Sequence, residues 1–315
     1  MISTSGEAPF QFRYRDDLSS LPAAARPFER ELHGGFAVDR ASGHAYLGVP
    51  GSGIVRVAPD LTSAEVIALP PELTSLNFHH TRLIKLDGEQ RLVFPANGAA
   101  QVVVVDLAGN LDCLLPTPTF QEYAASEFRP TSAVARNGEL FVADGYGANY
   151  IVVADLNARR WSWRFGGKAA ERDDREGFAT AHDITATPRG DELLVVDRGL
   201  DRIVRRGWDG SYRGMVELPN GSRPCGIDFV QHNGRWLGAT ACLAAADSDR
   251  DAPLLILDGE TLQVLSAIRP AEELGVHDAH HLHHAAWHHD GGELYLLVQA
   301  WNPGRYFVLQ LVGDR

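Results

Sequence analysis

A basic excess, a long apolar run and a cysteine framework are all missing from this chain. Its formal net charge at pH 7 is −12 over 315 residues. Phosphate backbones are held by clustered Lys and Arg, so a nucleic-acid partner is not expected. No stretch approaches the roughly 18 consecutive apolar residues of a membrane span, and a membrane partner is not expected either. The opening residues Met1-Ile2-Ser3-Thr4-Ser5-Gly6-Glu7 lack the basic start and apolar run of a secretory signal, which makes the cytoplasm the expected location. Cys113, Cys225 and Cys242 are an odd number at wide spacing, and read as reduced thiols rather than a disulfide scaffold. Helical periodicity is weak throughout, which leaves strands.

What is present is a turn-rich globular composition, with 44% hydrophobic residues, 31 Gly and 17 Pro, carrying a repeat. The segments 130–145 and 181–198 each read as strand, Gly turn, strand, Asp, and the same grammar recurs over 34–47, 80–94, 224–237 and 283–297. A third apolar run follows each copy, such as Gln101 to Val105 or Tyr306 to Leu311, and some have a fourth, such as Trp161 to Phe165. Six copies predict an all-β, six-bladed β-propeller in one domain, 1–315, with blades starting near 33, 80, 131, 182, 225 and 283. The last copy runs out after its third strand, while an alternating segment, Phe10 to Tyr14, stands unassigned. Residues 1–32 are therefore expected to be an N-terminal arm that supplies the strand closing the ring, the alternative being an arm packed elsewhere.

His80, His182 and His283 each lie 12 residues before a matching point of the next strand, Leu92, Leu194 and Tyr295. In a propeller the innermost strands line the axial channel. Equivalent residues on blades two, four and six would thus converge from three sides, as neutral imidazoles do around an open metal site. The intervening blades carry Arg129-Pro130-Thr131 and Arg223-Pro224-Cys225 at the same place. Arg129 and Arg223 could clamp a carboxylate or sit at the surface. Thr131 and Cys225 could meet substrate or back a ligand, and Cys225 could be a fourth soft ligand or a plain buried thiol. Seven histidines crowd residues 277–289. Strand alternation turns His283 inward, leaves His281 and His284 as second-layer or substrate-facing groups, and puts His288 and His289 on the following turn. His277, His288 and His289 are read as solvated, as are His33 and His79.

The run Asp144-Gly145-Tyr146-Gly147-Ala148-Asn149-Tyr150-Ile151-Val152, with Phe165-Gly166-Gly167, Ala181-His182-Asp183-Ile184 and Val196-Asp197-Arg198-Gly199-Leu200-Asp201-Arg202-Ile203, resembles NHL-repeat propellers. More narrowly it resembles the lyase domain of peptide-amidating enzymes, peptidylglycine amidoglycolate lyase, closely over about residues 128–206 and diffusely elsewhere. The resemblance implies zinc held by His80, His182 and His283, Tyr146 as general base, and Arg202 as a substrate or transition-state contact. The family's last ligand is followed by an aspartate linked to structural calcium. Here His284 follows, which speaks against that calcium, and His281 replaces a methionine in the pocket lining. The implied activity is a metal-dependent lyase acting on a small oxygenated, carbinolamide-like or hydroxy-carboxylate substrate, either a small molecule or a short peptidyl one. A site of three imidazoles with iron or manganese in an oxygenase, isomerase or hydrolase is the alternative on the same scaffold, and a non-catalytic protein-binding propeller is a third.

Overall fold

The second strand of every blade is apolar on both faces, as in Leu92-Val93-Phe94 and Leu194-Val195-Val196, so each sheet needs a neighbour on either side. A ring of sheets meets that need. The computed structural model describes residues 3–312 and arranges them as six four-stranded antiparallel sheets. Six separate apolar clusters lie between them, one for each pair of adjacent blades. Alternation along one strand feeds two of them: Leu92 and Phe94 pack toward blade one, Val93 toward blade three. Among the described residues, no helix is long and apolar enough to cross a membrane.

Blade six is completed by the N-terminal strand Phe12–Tyr14, whose residues pair antiparallel with Leu311, Gln310 and Leu309. Closure by this strand, rather than an arm packed elsewhere, is the observed arrangement. The residues before it clasp blade five. The Ser5 hydroxyl donates to Glu273 at 2.6 Å, and Ser266 donates to the Phe10 carbonyl at 2.9 Å. Phe12 is fully buried and its ring lies 6.1 Å from that of Trp287. One short segment thus ties the two ends of the ring together.

The aspartates that end the repeats pin loops. Asp197 accepts from the backbone N–H groups of Ala179 and Thr180. Asp144 accepts from those of Arg129 and Ala148. Each carboxylate holds the segment leading into the innermost strand of its own blade, and so fixes where that strand enters the channel. Burial raises Asp144 to a pKa of about 6.

Because Phe12 joins the closing strand to the core, Phe12→Ala should cost about 3–5 kcal/mol, read as a lower midpoint in urea unfolding. An unchanged midpoint would mean that ring closure does not depend on this strand.

Candidate metal centre

Four imidazoles meet on the axis. The ligand-capable nitrogens of His79, His80, His182 and His283 all lie within 4.8 Å of one another, and all four side chains are buried. Their placement follows from an irregularity shared by the innermost strands. Phe78, Ala181, Pro224 and Leu282 pair with Ala96, Asp197, Cys242 and Ala300, the last residues of the strands beside them. The next residue in each case falls where the pairing register shifts, and such a bulge re-aims a side chain. Those residues are His79, His182, Cys225 and His283. Thr131 is their counterpart in blade three, its N–H meeting the Ala143 carbonyl as the N–H of His79 meets that of Pro95.

The equivalent set on blades two, four and six is therefore His79, His182 and His283. His80, the residue expected in phase, sits one position deeper. A constant count of 12 residues presumes equal hairpins, but 17 residues separate His79 from Ala96 and only 15 separate His182 from Asp197. Reading His79 as solvated is thereby corrected.

The hydrogen bonds around the rings decide which nitrogens face inward. His79 Nδ1 lies 2.5 Å from the Thr131 carbonyl, and His182 Nδ1 bonds the Cys225 carbonyl. A carbonyl can only accept, so each Nδ1 carries the proton and each Nε2 presents a lone pair. His80 behaves likewise: its Nδ1 lies 3.1 Å from Asp183 Oδ1, and its buried Nε2 has no hydrogen-bond partner. Both ring nitrogens of His283 lack one too. Buried polar atoms are nearly always satisfied, and converging lone pairs without donors are what a cation would satisfy. The donor set therefore fits a metal ion. Burial holds His79, His182 and His283 well below the usual imidazole pKa and lowers His80, so all four stay neutral.

Tyr146 joins the cluster to open space. Its hydroxyl lies 2.9 Å from His182 Nε2 and 3.3 Å from His79 Nε2, and accepts from Arg198 Nη1 at 3.1 Å. Burial raises the phenol pKa, and Arg198 offsets only part of the rise. Tyr146, Arg198, Arg129 and His283 line a cavity of about 1120 Å³ that also touches His33, Asn77 and Trp301.

Arg202, carried over from the family resemblance, is occupied elsewhere. Its Nε bonds Asp197 at 3.0 Å and its other nitrogens bond the carbonyls of Arg172 and Gly177. Arg198, four residues earlier, is the arginine that reaches Tyr146. It stands in the short 3-10 turn Arg198–Leu200 that follows Asp197, within the same motif as Arg202.

Of the remaining candidates, Arg129 lines the cavity, whereas Arg223 is exposed and not among its lining residues. Thr131 contributes its carbonyl to His79, and its hydroxyl bonds the Ala181 carbonyl of the next blade. Cys225 is buried and gives its carbonyl to His182, while its thiol is not in the donor cluster. His281 is exposed and bonds the Leu243 carbonyl. His284 is buried, with its nitrogens facing the Phe36 N–H and Arg82.

His277 and His289 are exposed as expected, although His289 lies within the strand Leu282–Asp290 rather than on the turn after it. His288 is not: it lies within the strand Leu282–Asp290, fully buried, with Nε2 donating to the Pro59 carbonyl at 2.7 Å. His33 is also buried, its ring 4.4 Å from His79 and 4.5 Å from His283. Strand alternation misses both because His33 lies outside any strand and His288 packs under the loop of blade one.

Neither a family model nor a curated protein matches this chain. Solved structures do. A luciferin-regenerating enzyme aligns with TM-score 0.59 at 10% identity, covering 96% of this chain and 95% of its own. A gluconolactonase from Xanthomonas campestris aligns with TM-score 0.57 at 13% identity over 96% and 97%. A streptogramin B lyase aligns with TM-score 0.56 at 12% identity over 98% of both chains. These likenesses establish the fold alone. Propellers of this shape host unrelated chemistries, and the site has to be argued from its own residues.

Two outcomes follow. Arg202→Met should destabilise the chain by about 3–5 kcal/mol, since it leaves Asp197 buried without its partner, yet leave metal uptake unchanged; weakened uptake at full stability would return Arg202 to the site. In the metal-free protein the neutral histidines bind fewer protons than in the unfolded chain once the pH is below about 6.5. Their contribution to stability is therefore complete above that value and is lost as the pH falls, down to about 4 in the case of His33. The thermal midpoint should be lower at pH 5 than at pH 7, and equal midpoints would contradict burial of neutral rings.

Proposed function

We propose that this chain is a metal-dependent enzyme of lyase type, with His79, His182 and His283 holding one divalent ion at the base of the arginine-lined cavity. The observation that carries this reading is the set of inward nitrogens: His79 and His182 have Nδ1 engaged behind them and no donor at Nε2 other than Tyr146, and His283 has no hydrogen-bond partner at either nitrogen. An ion bound there would polarise a hydroxyl, carbonyl or carboxylate oxygen of the substrate, or acidify a bound water. Zinc is the ion the family resemblance implies, with iron or manganese as the alternative.

The chain's own groups supply the rest. Arg129 and Arg198 give the cavity a positive wall suited to a carboxylate. Tyr146 is the proton carrier, since its hydroxyl bonds two of the imidazoles while the residue lines the cavity, and Arg198 against its oxygen offsets part of the rise in pKa that burial causes. In the lyase reaction Tyr146 would take the proton of a carbinol hydroxyl, its ionisation requiring a bound cation beside it in addition to Arg198. The oxygen electron pair then forms the carbonyl, the C–N bond breaks, and the departing amide nitrogen takes back the proton that Tyr146 received. The products are an amide and an aldehyde acid such as glyoxylate. The resemblance over residues 128–206 supports this choice of reaction.

The test is glyoxylate release from an N-acyl-α-hydroxyglycine by protein loaded with zinc, iron(II) or manganese(II), together with metal analysis. Turnover with one bound ion is expected. Tyr146→Phe should lower kcat by about 10²–10⁴ and keep the ion, whereas His182→Ala should lose both. Stoichiometric metal without turnover would reject the lyase reaction, and wild-type protein that takes up no metal would reject the enzyme reading.

A further inference from the structure

The channel carries a second layer of polar side chains directly beneath the first. Successive residues of a regular strand point to opposite faces, yet each alternate blade turns two consecutive side chains inward: His79 and His80, His182 and Asp183, His283 and His284. All six are buried. In blades four and six the register shift accounts for this. In blade two the backbone does so as well, because His80 has φ of +44°, the left-handed region that a residue with a Cβ enters only at some cost. Blade five leaves room at this level. A Cβ on Gly226 would lie 3.0 Å from His284 Cδ2 and 3.1 Å from His80 Cε1.

The three lower side chains have different fates. Asp183 is saturated, accepting from His80, Arg82, Ser132 and the Ile227 N–H. His284 faces N–H donors at both ring nitrogens. His80 alone has an uncommitted atom, Nε2. His80 is one of the four residues whose ligand-capable nitrogens lie within 4.8 Å of one another, and with Nδ1 turned to Asp183 its Nε2 is the nitrogen left to serve. Its Nδ1 is backed by Asp183, the carboxylate-to-histidine pairing that orients metal-bound imidazoles and raises their basicity.

We propose that His80 is a fourth nitrogen ligand, approaching the ion from the side away from the arginine-lined cavity, and that the site selects a five- or six-coordinate first-row ion over four-coordinate zinc. This rests on the metal reading above and narrows it. Four protein nitrogens complete a tetrahedral ion and close it to substrate. An ion that also meets substrate from the cavity needs a fifth position. Iron(II), cobalt(II) and nickel(II) accept imidazoles and provide one. The strained backbone at His80 and the cleared space at Gly226 are what bring this nitrogen up to the ring.

Cobalt(II) is the probe, because its visible absorption reports coordination number. The wild-type chain, stripped of metal and titrated with cobalt(II), should bind one ion and show the weak d–d bands of a five- or six-coordinate centre. His80→Asn keeps a residue tolerant of positive φ; it should weaken binding by about a hundredfold or more and shift the bands, with the melting curve of the metal-free protein little changed. Asp183→Asn should weaken binding by about 10–100-fold. An affinity and spectrum for His80→Asn equal to those of the wild type would overturn the fourth ligand. Intense four-coordinate bands in the wild type would overturn the open fifth position. Failure of the wild type to bind cobalt(II) would instead sink the underlying metal reading, and this inference with it.

Discussion

A hydrogen bond from an imidazole Nδ1–H to a carbonyl of the next blade governs the centre of this molecule. His79 makes it to Thr131 and His182 makes it to Cys225. Because the acceptor belongs to a different sheet, the tautomer of each ring depends on the spacing between blades. That spacing depends in turn on the six apolar interfaces and on the strand Phe12–Tyr14 that closes the ring. Were the sheets to separate, the carbonyls would withdraw, the rings could exchange tautomers and the inward lone pairs would no longer be fixed. Fold closure and site chemistry are one constraint at two distances from the axis.

His283 departs from this pattern. Its counterpart acceptor would be the carbonyl of Gly34 in blade one, but that carbonyl already accepts from the N–H and hydroxyl of Thr81. His283 is left against His33 and the cavity with no partner at either nitrogen. Of the three equivalent rings it is the least constrained by hydrogen bonds to protein. It is also the one that reaches the cavity wall.

The propeller was legible because burial of both sheet faces writes itself into the chain as short apolar runs at a regular interval, and because the odd final strand demanded a partner near the start. The convergence of histidines from alternate blades was legible for the same reason. The identity of the ligand in blade two was not. A bulge costs one residue and a longer hairpin costs two, and neither leaves a mark in the identities of His79 and His80, which are the same. Pairing geometry alone separates them. Arg198 and Arg202 pose the same difficulty: both fit an arginine-bearing motif, and the choice between them turns on a left-handed Asp201 that sends one guanidinium toward Tyr146 and the other toward Asp197. His33 left no signal at all, since nothing in its neighbours fixes the direction of the chain there.

The charge of the layer beneath the ring bears on what the cavity can hold. Asp183 is the one carboxylate among the six inward side chains of blades two, four and six. Burial would raise its pKa, but Arg82 and His80 outweigh burial and hold it well below the usual range, so it is ionised. Its negative charge is answered by Arg82 on the side away from the cavity. The nitrogens facing upward are all neutral. A divalent ion bound by them would therefore keep its charge largely uncompensated by protein, with Arg198 and Arg129 adding positive potential on the same side. In a site of low dielectric such an excess is costly unless an anion enters. On the function proposed above, such a site would favour a substrate that brings a carboxylate or alkoxide of its own over a neutral one, and substrate binding would then be the step that neutralises the charge.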